Sequence, residues 1–173
     1  MQTTAATQSN VSRIPFRIHL LRAANPLVRR ILASRLHFLV SGDLLVASFR
    51  GRKSGKRFAT PLSYVEKDGR LYLCTRPEVA TWWKNMRDEA PVQITWLGRP
   101  TPARASVLES SSAEAMLGFR TFLSRNPGTA SLLYNVNATG GELNEADVLR
   151  EVTQSVIVRL EFEPSNETAG RVS

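Results

Sequence analysis

One cysteine, Cys74, and two histidines, His19 and His37, stand in a chain of 173 residues. A lone thiol excludes an intrachain disulfide and offers no cluster for zinc or an iron-sulfur centre, so Cys74 reads as a buried strand thiol. With both histidines in the N-terminal region, no Ser/His/Asp or Cys/His constellation can be drawn, and no metal site is expected. No apolar run approaches the roughly 18 residues that suggest a membrane span. The polar start MQTTAATQSN lacks the apolar core of a secretory leader, which favours the cytoplasm. Helix-turn-helix, zinc-finger and aromatic RNA-binding signatures are also missing, so nucleic acid is not the expected partner.

What is present is a globular composition, 42% hydrophobic and 22% charged, of a length that suits one domain. Residues 13–165 are expected to form it, with tails at 1–12 and 166–173. The net charge of +8 predicts attraction to anions, whether phosphorylated small molecules or an anionic membrane face. Arg13, Arg17, Arg22, Arg29, Arg30 and Arg35 lie in a region without acidic residues, and Arg50, Arg52, Lys53, Lys56 and Arg57 crowd one turn.

Between residues 15 and 39 the apolar positions Leu27, Val28, Ile31, Leu32, Leu36 and Leu39 recur at helical spacing. The Asn25-Pro26 step divides this region into two helices. Their basic faces suit solvent, with the apolar stripe packed on the rest of the chain, or an anionic membrane surface. Strands are predicted over 43–50 and 57–66. Asp68-Gly69 then turns the chain into a third strand at 70–75. Pro77 is expected to open a short helix with Val79, Trp82, Trp83 and Met86 on one face. A second hairpin, 92–97 and 101–108, crosses Gly98-Arg99. Ser111 and Glu114 have capping-box spacing before a helix that runs to about Arg125. An irregular stretch is expected from Asn126 to Gly141, a helix over 142–153, and a closing strand over 155–162 with Val156, Val158 and Leu160 on one side. About six mostly antiparallel strands with peripheral helices predict a mainly β (α+β) barrel, since curling disposes of exposed edges.

The segment Arg50-Gly51-Arg52-Lys53-Ser54-Gly55-Lys56-Arg57 carries the chemistry. Glycines permit close backbone approach, successive amides form a concave donor nest, and cationic side chains add charge-assisted bonds to phosphate oxygens. It lacks the spacing of a nucleotide P-loop, and a basic hairpin turn is also a common solvated edge. Trp82 and Trp83 fit a core face and a pocket wall equally well.

In order along the chain, GRKSGKRFATPLSYVEKDGRLYLCTR, TWWKNM, APVQITWLGR and ARASVLE resemble the deazaflavin-dependent nitroreductase and quinone-reductase family of split β-barrel proteins, related to the FMN-binding split barrels. The likeness spans roughly residues 43–108. It implies coenzyme F420, with Arg52, Lys53, Ser54 and Gly55 at the phosphate, and Thr60, Pro61 and Leu62 bordering the deazaflavin ring. Thr75 and Arg76 would approach from the next strand, and Trp82, Trp83 and Asn85 from the short helix. The acceptor implied is a quinone, nitroaromatic or activated alkene, reduced by hydride transfer from the cofactor rather than by a protein nucleophile. Tyr134 and Phe58 join the tryptophans as candidate walls of its pocket. FMN in place of F420, or a non-enzymatic cofactor- or lipid-binding protein with a basic membrane-facing helix, are the alternatives. A homodimer fits such families.

Overall fold

The computed structural model of the chain describes residues 44–125, 127–139 and 142–163. The expected N-terminal helices at 15–39 and both tails lie outside the described residues. Among the described residues no helix is long and apolar enough to cross a membrane.

Seven strands form one antiparallel sheet: β1 Leu44–Arg50, β2 Arg57–Ser63, β3 Val65–Lys67, β4 Arg70–Thr75, β5 Ala90–Trp96, β6 Arg99–Val107 and β9 Val156–Phe162. A separate two-strand ribbon pairs β7 Ala138–Thr139 with β8 Glu142–Leu143. Across the main sheet the order is β2-β1-β5-β6-β9-β4-β3. The expectation of one strand over 57–66 is corrected here: the run divides at Tyr64, and its halves occupy opposite edges of the sheet. Two residue steps cover at most about 7 Å of chain. The two edges are therefore forced together, and the sheet must curl. Tyr64, 5% exposed, lies inside the curl. The architecture is a split β-barrel.

Alternation of side chains divides the core in two. Leu45, Ala47, Leu71, Leu73, Val92, Ile94, Ala103, Val158 and Leu160 fill the barrel, joined by Trp83 and Met86. On the outer face, Val65, Tyr72 and Ile157 pack beneath the helices with Ala115, Phe119, Phe122, Leu123, Val148 and Val152. The alternation read for Val156, Val158 and Leu160 therefore marks the barrel face. Both tight hairpins place two residues at positive φ, Asp68-Gly69 and Leu97-Gly98, in the manner of type I′ turns. The second turn lies one residue earlier than its sequence indicated.

Among the described residues the α-helices are α1 Ala113–Arg125, α2 Pro127–Tyr134 and α3 Glu145–Thr153. The stretch read as irregular contains α2, because proline suits a first helical turn as well as it ends a helix. The capping box is also corrected. Ser112, not Ser111, accepts from the Ala115 amide at 3.1 Å. Glu114 reaches instead to Arg159 at 3.0 Å and the Tyr72 hydroxyl at 3.2 Å, tying α1 to the sheet. At α3, Asn144 caps the helix by accepting from Asp147 N at 3.0 Å. The segment after Pro77 forms only a 3-10 helix, Trp82–Asn85, as suits so short an apolar stretch.

Two stability outcomes follow. A Cβ at Gly118 would meet Tyr72 Cδ1 at 2.5 Å, and that ring is buried. Gly118→Ala should therefore destabilise by about 1–3 kcal/mol in urea unfolding. Asp147 accepts from the Asn137 backbone and side-chain amides and pairs with Arg150. The Asn137 backbone bond first, then the Arg150 and Asn137 side chains, hold its pKa below the ordinary value against a smaller desolvation. A depressed folded pKa means stability that is present above about pH 4 and lost as pH falls through the lower folded value. The stability gap between wild type and Asp147→Asn should be constant from pH 5 to 7 and close in that acid window, as read by chemical denaturation at each pH.

Candidate functional site

The β1-β2 hairpin closes its ladder at Arg50 and Arg57, leaving six residues to make the turn. Gly51 N donates to Lys56 O and Gly55 N to Gly51 O, both at 2.8 Å, which folds the turn back on itself. A side chain at Gly51 would strike Phe58 Cε2 at 2.7 Å and Ser54 Oγ at 2.8 Å, and Gly55 has φ +64°. Both glycines are needed for this geometry. Arg52 N donates to Asn85 Oδ1 at 3.0 Å, and Asn85 Nδ2 donates to Trp82 O at 3.2 Å. The turn is thus moored to the 3-10 helix. Among the described residues, the amides of Lys53 and Ser54 have no acceptor.

The electrostatics are one-sided. Arg52, Lys53, Ser54, Lys56 and Arg57 are exposed. Arg52 pairs with Asp88 at 2.9 Å, whereas Lys53, Lys56 and Arg57 have no carboxylate partner among the described residues. Lys84 and Arg87 lie over the Trp83 ring, at 5.6 and 4.8 Å from its centroid. Two open amides amid unpaired cations offer the kinds of donor that an anion accepts from. Beside the turn, Phe58 is half-exposed and stacks on Phe49 at 6.0 Å. Thr60 lies on the same face of β2, opposite Ala47.

Several residues singled out from sequence lie elsewhere. Pro61 opposes Val46, so it faces away from Thr60 and Leu62. Leu62 and Trp83 belong to the barrel core, while Trp82 flanks it. Thr75 is buried, and its hydroxyl donates to Arg76 O at 3.4 Å. Arg76 turns inward: its guanidinium pairs with Glu151, its Nε donates to Leu133 O at 2.8 Å, and it covers the Tyr134 ring. Tyr134 is a correction to the sequence reading. At 2% exposure it packs edge-on to Phe119 and Phe122 rather than lining a pocket, and burial above all pushes its phenol well up. Burial likewise raises the Cys74 thiol, which leaves it a poor nucleophile. An open groove of about 590 Å³ runs along β3 and the end of α1, between Glu66, Asp68, Thr121 and Ser124; none of the candidate residues lines it.

Sequence reasoning missed Asp88 and Glu151. Nothing local marks Asp88 as the partner of Arg52. Glu151 did leave a signal, since it falls on the stripe of Val148 and Val152, where a carboxylate must be paired.

No family model matches the chain, and no curated protein matches it in sequence. Solved structures do resemble it. A chain solved as a domain-swapped dimer is 17% identical over 84% of this chain and 99% of its own, with TM-score 0.51. An F420-H2 dependent reductase, FDR-A, is 17% identical over 69% of this chain and 94% of its own, with TM-score 0.48. The heme storage protein HutZ from Vibrio cholerae is 14% identical over 80% and 89%, with TM-score 0.49. At these identities the likeness is one of fold.

The inward position of Arg76 is open to test. Arg76→Met leaves the buried Glu151 carboxylate with the half-exposed Arg150 as its remaining partner and should cost about 1–3 kcal/mol, whereas Arg76→Met with Glu151→Leu should recover most of that loss. Urea unfolding of both variants measures the difference.

Proposed function

We propose that the chain is an F420-dependent reductase that passes a hydride to a small electrophilic acceptor such as a quinone, nitroaromatic or activated alkene. The observation that carries this reading is the turn, whose Lys53 and Ser54 amides are open and flanked by unpaired cations beside Trp82 and Asn85. The same elements, in the same order, carry the sequence resemblance. When bound, reduced F420 supplies the hydride, and the protein supplies binding and orientation.

Lys53 and Ser54 hold the phosphate through their amides, and the Lys53 ammonium adds a charge-assisted bond. Gly51 and Gly55 keep the backbone close enough for those contacts. Lys56, Arg57, Lys84 and Arg87 draw in the acidic oligoglutamate tail. Phe58 and Thr60, on the face of β2 next to the turn, border the ring; Trp82 flanks the barrel on the side of the mooring helix. Arg76, Thr75 and Tyr134 are left out of this site because they are held in the interior. Residues 13–165 act as one unit in this reading, and the domain-swapped dimer among the similar structures supports assembly as a homodimer.

Titration with F420 and with FMN, followed by cofactor fluorescence, tests the assignment, and reduced F420 with menadione tests turnover. Saturable F420 binding with menadione reduction is the expected outcome. A preference for FMN would replace the cofactor with the flavin, and binding of neither would overturn the reading. Lys53→Ala should weaken F420 binding by about 1.5–3 kcal/mol, the worth of a charged hydrogen bond, with thermal stability unchanged.

A further inference from the structure

Asp88 and Glu89 occupy left-handed backbone in succession, with φ of 60° and 52°. Aspartate tolerates that conformation, but glutamate gains nothing from it, so two such residues together mark a corner held by its surroundings. The corner follows the 3-10 helix and presents the Asp88 carboxylate to the Arg52 guanidinium at 2.9 Å. Arg52 is therefore held at both ends, its amide by Asn85 and its side chain by Asp88. Lys53, Lys56 and Arg57 carry no such pairing among the described residues. The cation that opens the anion-binding turn is the one the protein neutralises for itself. Both partners are well exposed, 49% and 76%, and an exposed pair of this kind is weak. A phosphate group at the neighbouring Lys53 and Ser54 amides would offer the same guanidinium several acceptor oxygens.

We propose that Asp88 is an internal competitor for Arg52, an electrostatic latch on the turn that a phosphate-bearing ligand displaces as it binds. The inference rests on the turn being a phosphate grip. It deepens that reading by assigning Asp88 control over how tightly the grip closes. The latch disfavours ligands that offer only one weak acceptor, since they cannot win Arg52 from the carboxylate. A phosphate ester with neighbouring anionic groups can.

Calorimetric titration with inorganic pyrophosphate and fluorescence titration with F420 test this on the full chain in four forms: wild type, Asp88→Asn, Arg52→Ala and the double variant. Asparagine keeps the tolerance for left-handed backbone, so the corner is preserved. Asp88→Asn should tighten pyrophosphate about two- to fivefold, the range an exposed ion pair spans. In the Arg52→Ala background the same change should bring no gain. A gain that persists without Arg52 would make Asp88 a remote charge only and would overturn the latch. No gain in either background would do so as well, and so would failure of both wild type and Asp88→Asn to bind pyrophosphate. Pyrophosphate binding with the expected pattern but no F420 binding would retire the cofactor assignment and leave the latch standing. F420 binding without the pattern would do the reverse.

Discussion

Tyr64 alone joins strands that belong to opposite edges of a seven-stranded sheet. No flat sheet permits that connection, because seven strands at about 4.8 Å spacing would put those edges nearly 30 Å apart. Curling is thus compelled by chain continuity, and the burial of Tyr64 among Leu62, Leu71 and Leu73 rewards it with apolar contact. Once the sheet closes, its faces become unequal. The inner one is filled by small and branched side chains, and part of the outer one is left for the helices.

That division places the chemistry. The helical side ties itself to the sheet through charge: Glu114 meets Arg159, Arg70 and Tyr72, while Glu151 meets Arg76. These polar groups hold the layers together. On the other side, among the described residues, the cations of the β1-β2 turn are exposed. Asn85, from the short helix beside the core residues Trp83 and Met86, and Asp88, from the corner after it, moor the turn. The same Trp82–Asn85 segment serves the core and the turn, which couples the geometry of the cationic turn to barrel packing.

Much of the sheet could be read directly. Strands β1, β4, β5, β6 and β9 fell close to their expected ranges because alternating apolar residues and Asp68-Gly69 act over a few residues. The switch at Tyr64 could not be read, since Phe58 to Val65 looks locally like one unbroken strand. Ser112 and Ser111 are equally good caps by composition, and only the demand of Arg159 and Tyr72 for Glu114 separates them. The basic turn was conspicuous in sequence. Its mooring was not, because Arg52 and Asn85 lie 33 residues apart.

By itself, then, the sequence determined the β character of the chain, the faces of its strands and the presence of a glycine-bounded cationic turn, all of which follow from periodicity and backbone freedom over short distances. Tertiary structure alone decided which polar candidates reach solvent. Arg76 and Glu151 meet across 75 residues, and that meeting converts an arginine next to the expected site into part of the interior. The physical reason is that a charge's role depends on which opposite charge the fold brings to it, and composition along the chain carries no record of that distance.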